Sequence, residues 1–439
     1  MDKRIVIVGA GVAGINAATK LVDNGYPGEL ITIIDKGNDP HNRLPEEVMT
    51  GMLGAGGWSD GKLTYHTAIG GQLSKYCGEE KAMELMKQVV DNFTRFHPKP
   101  EEIFMSDPQE EPEFIKPYFG LRMFPVWHIG SNFLHEIAKT WYSYLLDKGV
   151  SFWWNTEVTD IDFTNNTVLF NPLGIAGPTD THQVKYDELI FGVGKSGIDF
   201  AQKLADSYQL PNEPKSVQIG VRFEAPQKYF QKLIDVSYDF KLYQKFDNVS
   251  LRSFCTNNNA AYVAVEETYG DVTYNGHAKK GEEFRNDMTN FGILMEIKGI
   301  EDPFKWSRDV VNTLQIDGTG LYYSPNKTRE PALTSEGVTV SATQIDSLDS
   351  FKGTMDKYAD YVINFIDDMN KVFEFGDDWG MYIPEVKYLS PEPLVNYNDL
   401  SLTIFPNVHF VGDALSARGI TVSGAHGIYV AESLINPSK

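Results

Sequence analysis

The sequence predicts an α/β protein in which a parallel sheet with a small antiparallel meander is joined to a second unit of mixed α+β structure. Three observations carry this. An apolar, β-branched run from Ile5 to Val8 enters a glycine turn and then a helical stretch, the order expected of a strand buried on both faces that feeds a helix. The same order returns at Glu188-Leu-Ile-Phe-Gly-Val-Gly-Lys-Ser-Gly197. Between about Val217 and Pro384 the chain changes to short strands, many aromatic residues and irregular connections, such as Leu251-Arg-Ser-Phe-Cys255 and Tyr262-Val-Ala-Val265, the texture of a mixed or antiparallel sheet.

In the opening segment the glycines have separate tasks. Gly9 permits a tight turn, Gly11 lets backbone approach a pyrophosphate, and Gly14 lets the helix lie close on the strand. Phosphates would sit at the helix N-terminus, where N–H groups and the macrodipole favour negative charge. A second strand, Leu30 to Ile34, ends at Asp35, about twenty residues beyond the glycines, where a carboxylate can accept hydrogen bonds from a ribose. Strand, glycines, helix, strand and acid in that order make a Rossmann-like dinucleotide-binding unit. Lys3 and Arg4 before an apolar run also imitate a signal peptide, but Asp2, the internal glycines and the helical continuation favour the βαβ unit.

With 439 residues, 42% of them hydrophobic, the chain can bury a large core and divide into two or three domains. Its formal net charge of -21 opposes contact with phosphate backbones and anionic membranes, so nucleic acid is not the expected partner. Cys77 and Cys255 stand far apart in no C-x-x-C arrangement, which indicates buried thiols in a reducing cytoplasm. No uncharged apolar run reaches the ~18 residues of a membrane span.

After Asp35 comes a polar loop, Lys36 to Glu47, and then Met49-Thr-Gly-Met-Leu-Gly-Ala-Gly-Gly-Trp-Ser-Asp-Gly-Lys62. Glycines interleaved with Ser59, Asp60 and Lys62 describe a backbone cradle with polar handles, against the alternative of a flexible surface loop. Helical periodicity runs from Glu79 to about Phe96, and a Pro-rich, acidic stretch from His97 to Pro125 loops over the surface. Ser131 is placed to cap a helix to about Leu146, followed by a strand from Val150 to Trp154. Alternation in 157–163, 167–170 and 182–186 gives the antiparallel meander, with Asn165-Asn166 as a turn. Gly192, Gly194 and Gly197 formally repeat the glycine fingerprint. The following strand, Val217 to Val221, has no acid at its end until Glu224, so this turn is expected to return the chain to the first sheet beside the nucleotide, with Gly194 near it. A helix is expected from Ser350 to about Phe373, and Ser390 to Pro406 leads back.

The closing segment is the second strong signal: Val408-His-Phe-Val-Gly-Asp413, a turn with Arg418 and Gly419, and a helix from about Thr421 to Leu434. Gly412 and Asp413 can meet a sugar-like hydroxyl chain. The helix start at Gly419 and Ile420 directs positive dipole at what lies beyond. A reduced flavin gathers negative charge around N1 and its neighbouring carbonyl, and a nicotinamide does not, so the two ends together favour FAD over NAD.

On these motifs the chain resembles the two-dinucleotide-binding-domain flavoproteins, and within them the FAD-dependent dehydrogenases often labelled NAD(FAD)-utilising. The resemblance runs nearly the full length. It rests on Gly9-Ala-Gly-Val-Ala-Gly14, Gly54-Ala-Gly-Gly-Trp-Ser-Asp-Gly-Lys-Leu63, Thr156-Glu-Val-Thr-Asp160, Phe191-Gly-Val-Gly-Lys-Ser-Gly197, Gly220-Val-Arg-Phe-Glu-Ala-Pro226 and the Gly412-Asp413 ending. It implies that Asp35 binds the adenosine ribose, Val158 offers backbone to the adenine, Gly56, Gly57 and Ser59 approach the pyrophosphate or flavin, and Asp413 holds the ribityl chain. Where relatives carry Ser-Phe-Cys-x-Cys-Pro-Gly-Gly, this chain reads Ser253-Phe-Cys-Thr-Asn-Asn-Asn259 and lacks one cysteine, the proline and the glycines. A discontinuous FAD-binding domain is expected from 1–75, 125–215 and 385–439, with 76–124 and 216–384 forming the substrate or cap domain.

A flavin carries the hydride chemistry, so the protein must bind it, tune it and orient a substrate against it. Lys62 is a candidate charge or water holder, with a solvated side chain as the alternative. Arg222, two residues before Glu224, could clamp a substrate carboxylate through its planar fork or form an internal ion pair, and Arg252 has the same two options. His277, in Asn275-Gly-His-Ala-Lys279, could exchange protons near neutral pH or simply pack, and His426 is expected to be structural. No His/Cys/Asp/Glu set has metal spacing. The leading expectation is an FAD-dependent oxidoreductase passing a hydride to or from a small organic substrate, with NAD(P)H or oxygen as electron partner. The alternatives are a binding protein that keeps the architecture without redox turnover, and flavin-dependent modification of a nucleotide or nucleic acid. Nothing in the sequence sets the oligomeric state.

Overall fold

The computed structural model describes residues 3–436 apart from 45–46, 174–181, 214–216, 269, 279–281, 331–341 and 388–391. The expected boundary at 215/216, Lys279 and Ser390 therefore lie outside the described residues.

Ile5–Val8 forms a strand in which Ile5, Val6 and Ile7 are wholly buried. It sits inside a six-stranded sheet of order Ser401–Leu402, Phe405–Phe410, Glu188–Phe191, Ile5–Val8, Ile31–Ile34, Ser151–Trp153. Every neighbouring pair is parallel except the hairpin between the first two. Glu188–Phe191 lies directly against the first strand, Ile5 opposite Glu188 and Val8 opposite Phe191. The second glycine turn thus brings the chain back to the first sheet, as its missing acid implies. The meander is Thr156–Asp162, Thr167–Pro172 and His182–Lys185, antiparallel throughout.

The two ends of the polypeptide meet. The first helix, Val12–Asp23, and the closing helix, Ile420–Ile435, pack so closely that a Cβ on Gly427 would stand 2.0 Å from the Ala13 carbonyl oxygen. The helix Glu79–Arg95 joins them: its apolar stripe, including Leu85, Met86, Val89 and Phe93, enters the same core. It does so although its sequence lies within 76–124, the segment expected to belong to the other unit.

The second sheet has eight strands: Ala342–Ile345, Gly320–Tyr323, Gly380–Lys387, Val217–Pro226, Met288–Ile297, Val249–Asn259, Phe240–Lys245 and Gly120–Met123. Only its first pair is parallel. Alternation divides its faces. Val217, Ile219, Val221, Phe223 and Ala225 enter a second core with Val310 and Val311 of the helix Pro303–Thr313 and with Phe365 and Met369 of Lys357–Phe373. Arg222 and Glu224 face the other way.

Two local expectations are corrected. The helix expected over 350–373 is two, Asp349–Met355 and Lys357–Phe373, separated by Asp356, whose φ of 49° leaves the right-handed region. Ser131 caps nothing. A 3₁₀ turn, Ser131–Phe133, precedes the helix Leu134–Asp147, and the Ser131 hydroxyl donates instead to the Ala278 carbonyl oxygen of a neighbouring hairpin.

Candidate functional site

A cleft of about 420 Å³ runs between the first sheet and the second. At one end Gly9 and Gly11 line it, and Gly412, Asp413, Gly419 and Ile420 contribute from the far end of the chain. Gly9 adopts φ 103° and donates its N–H to the Ile34 carbonyl oxygen at 2.8 Å, turning the chain across the top of the sheet. Gly11 caps the first helix with no side-chain hydrogen bond, as Gly419 does for the closing helix. Both helix starts are therefore presented to the cleft. Gly14 lies behind, where a Cβ would be 2.3 Å from the Gly9 carbonyl oxygen.

Asp35 lines the cleft, but its carboxylate is already engaged. Oδ2 accepts the Ala10 N–H, and Oδ1 accepts those of Gly37 and Gly51, each at 2.8 Å. A carboxylate has about four acceptor positions, so about one remains open. Asp35 thereby ties the glycine turn to the loop that follows. Arg43, unremarked within the polar loop, completes that tie: its guanidinium donates to the carbonyl oxygens of Glu47, Val48, Met52 and Gly54 and lies 5.5 Å over the Trp58 ring. Burial lowers its pKa to about 10, with Asp35 and Glu47 opposing.

Gly56, Ser59, Asp60 and Lys62 line the cleft. Gly57 turns away, since a Cβ there would meet Arg43 Nη1 at 2.8 Å. The Ser59 hydroxyl is spent within the loop, donating to Gly56 O and accepting from the Gly61 N–H. Val158 and Gly194 also line the cleft. Asp413 Oδ1 pairs with Arg418 Nη1 at 2.5 Å.

Lys62 is a buried, fixed cation. Its Nζ lies 2.8 Å from Asp60 and 3.9 Å from Asp239, and donates to the Thr256 carbonyl oxygen. Burial disfavours the ammonium, but Asp60, Cys255 and Asp239 overcome this and hold the proton well above the usual lysine range. Burial alone would raise Asp60, yet Lys62 pulls its carboxyl down to about 2. Lys241 Nζ, 2.9 Å from Asp239, extends the row.

Two β-bulges decide what the second sheet offers the cleft. Between Gly220 and Arg222 the pairing skips a residue on the strand Gly380–Lys387. Met381 and Ile383 enter the second core before the skip and Val386 after it, so Glu385 and Lys387 are turned to the cleft. On Val249–Asn259 the register shifts between Phe254 and Asn257, and Cys255, at φ 53°, is turned into the cleft. Its Sγ donates to Asp60 Oδ2 at 3.3 Å, and burial, reinforced by Asp60, pushes the thiol up to about 11.

Arg222, Arg252 and His277 do not line the cleft. Arg222 is wholly buried: Nη1 donates to Cys255 O and Nη2 to Asn275 Oδ1, and Nε stands 3.1 Å from Glu385 Oε2, near enough for an ion pair but not aligned for a hydrogen bond. It is an internal ion pair, with Glu385 rather than Glu224; Glu224 faces Arg329 and Tyr322. Arg252 donates to Gln218. His277 stacks on Tyr262 at 5.4 Å, and burial holds it below the usual imidazole value while Glu266 and Asp60 oppose. His426 is fully buried in the closing helix. Among the described residues no group of three or more His, Cys, Asp or Glu is placed to hold a metal, and no helix is long and apolar enough to cross a membrane.

No family model matches the chain, and no curated protein does. Among solved structures it is similar to a flavoprotein/dehydrogenase from Cytophaga hutchinsonii, at 11% identity and a TM-score of 0.41 over 99% of this chain and 79% of that one. It is also similar to the tetracycline destructase Tet(55), at 10% identity and a TM-score of 0.41 over 100% and 82% of the two chains. CtdE, solved with FAD and a substrate, is similar at 12% identity and a TM-score of 0.39, again over 100% and 82%.

Proposed function

We propose that the chain is an FAD-dependent oxidoreductase acting on a small organic substrate. The observation that supports this most directly is the single cleft onto which both uncapped helix starts open, one from each end of the polypeptide. A dinucleotide needs such a groove. The first helix start, with Gly9 and Gly11, would take the diphosphate, where N–H groups and dipole meet negative charge. Asp35 would offer its remaining acceptor position to the adenosine ribose, Val158 would flank the adenine, and Asp413 would meet the ribityl hydroxyls. When bound, FAD supplies hydride acceptance and donation, which no side chain can provide. The chain's own part is to place and to insulate. The closing helix start and Lys62 would favour negative charge developing nearby, and Val8, Val12, Leu53 and Ile420 exclude water from the groove. The second sheet would supply the substrate side. Both cysteines are free, which fits a reducing cytoplasm.

Purified protein, with or without added FAD, is expected to show flavin absorbance and to bleach anaerobically with one class among amino acids, hydroxy acids, amines and reduced nicotinamides. A colourless chain that cannot be reconstituted with FAD rules the proposal out.

A further inference from the structure

Lys387 is placed by a bulge rather than by simple alternation. Its Nζ lies 3.8 Å from the centre of the Phe254 ring, against which Arg222 also rests, its Cζ 5.6 Å from the same centre. Room for that ring comes from Gly292, where a Cβ would stand 2.1 Å from Phe254 and 2.7 Å from Glu385 Oε2. Among the described residues no carboxylate forms an ion pair with Lys387. The side chain retains partial exposure, and this is directed into the cleft it lines. Burial, then Arg252 and Arg418, depress the ammonium well below the ordinary lysine value, with Cys255 and Glu385 opposing only in part. Glu385, on the same face of the strand, is itself pushed up to about 7 by burial, against the pull of Arg222 and Lys387, and so is a weak counter-charge at neutral pH. A lysine held on an aromatic face, open to a cleft and without an ion-pair partner among the described residues, is completed by an anion supplied from outside, which would favour its charged form.

We propose that Lys387 is the anchor for a carboxylate of the substrate, so that the cleft takes small organic acids. This rests on the flavoenzyme proposal above and adds to it the chemical class of what is bound. A carboxylate against Nζ would form a charge-assisted hydrogen bond. Phe254 lies behind the ammonium, and Tyr274 and Cys255 line the same cleft, where the body of the acid would lie.

The test titrates the FAD-loaded protein with sodium acetate, pyruvate and benzoate, with benzamide as the neutral counterpart of benzoate, following heat and the flavin spectrum. At least one carboxylate is expected to bind, and benzoate to bind about tenfold or more tighter than benzamide. Lys387→Met is expected to lose about tenfold or more in carboxylate affinity while its FAD affinity stays within about twofold, and Lys387→Arg to recover part of the loss. Carboxylates that bind Lys387→Met as well as the parent, or bind no better than the amide, or do not bind the parent, overturn the assignment. Loss of FAD along with the carboxylate in a folded Lys387→Met overturns it too, because the ammonium would then face the cofactor. If Lys387→Met does not fold, the comparison of acid with amide on the parent decides. A chain that takes up no FAD fails the earlier proposal alone, and calorimetry with the same salts still decides this one.

Discussion

Gly11→Ala separates the fold from the phosphate site proposed at the first helix start. Gly11 has φ -67° and ψ 176°, which alanine adopts freely. The nearest heavy atom to an added Cβ is Gly192 O at 3.9 Å, so the methyl group projects into open cleft. Stability without cofactor should change by no more than about 0.5 kcal/mol. A diphosphate lying on the helix start would be pushed off one charge-assisted hydrogen bond, a loss of about 1.5–3 kcal/mol, or roughly 10–150-fold in the FAD dissociation constant. Calorimetric titration with FAD, beside thermal unfolding of the free protein, reads both quantities. Gly14→Ala is the contrast: its Cβ would meet Gly9 O at 2.3 Å and Ile7 Cγ2 at 2.9 Å, so it should cost about 1–3 kcal/mol of stability whether FAD is present or not. If Gly11→Ala binds FAD as tightly as the parent, the diphosphate does not lie on this helix start.

Arg43→Met removes the donor that holds four carbonyl oxygens between Glu47 and Gly54. Amide exchange across 47–58 should quicken and FAD affinity fall by about tenfold; unchanged protection would show the loop to be held by other contacts. Asp60, drawn from 3.8 to about 2, contributes stability that is present above the ordinary aspartate value and is lost as pH falls through about 2, an acid limb of about 2 kcal/mol. Asp60→Asn should abolish that limb and, by leaving the buried Lys62 ammonium with only the more distant Asp239, lower stability at neutral pH by about 3 kcal/mol, both read from unfolding curves against pH. Glu385 has the opposite sign. Its folded form holds a proton from 4.5 up to about 7, so stability of the free protein should decline as pH rises through that window, and Glu385→Gln should flatten the decline.

What the sequence exposes is what repeats locally. The runs around Val8, Phe191 and Phe410 announce parallel strands because a strand buried on both faces needs consecutive apolar residues. The glycines at 9, 11 and 14 announce their turn because the conformation and the close approach are met within a few residues. Gly412, Asp413, Gly419 and Ile420 follow from the same logic, and the cleft places them with Gly9 and Gly11. Glu385 and Lys387 could not be found in this way. Counting alternate residues from Met381 and Ile383 assigns both to the apolar core, and only the skipped residue, set by pairing with a strand more than a hundred residues earlier, reverses the count. Arg222 shows the converse failure. Alternation correctly turns it from the core, but its partners Cys255 O, Asn275 and Glu385 come from three other strands, and nothing in 220–226 foretells that they fill the fork. Arg43 was hidden for a different reason: it satisfies backbone carbonyls, and these carry no signature in side-chain chemistry.

The row Asp60, Lys62, Asp239, Lys241 crosses from the glycine loop of the first unit to the strand Phe240–Lys245 of the second. Burying four charges gains little over burying four well-packed apolar side chains, so stability alone does not account for it. Direction does. An apolar seam lets two surfaces slide, whereas Lys62 must find Asp60 on one side and the Thr256 carbonyl oxygen on the other. Thr256 belongs to the same bulge that turns Cys255 into the cleft. The irregularity that shapes the second-sheet wall of the cleft thus also supplies the acceptor for the lysine on the first-sheet wall. The two walls are therefore held in one register by a loop near residue 60 and a bulge near residue 255, and a change at either should be felt at the other.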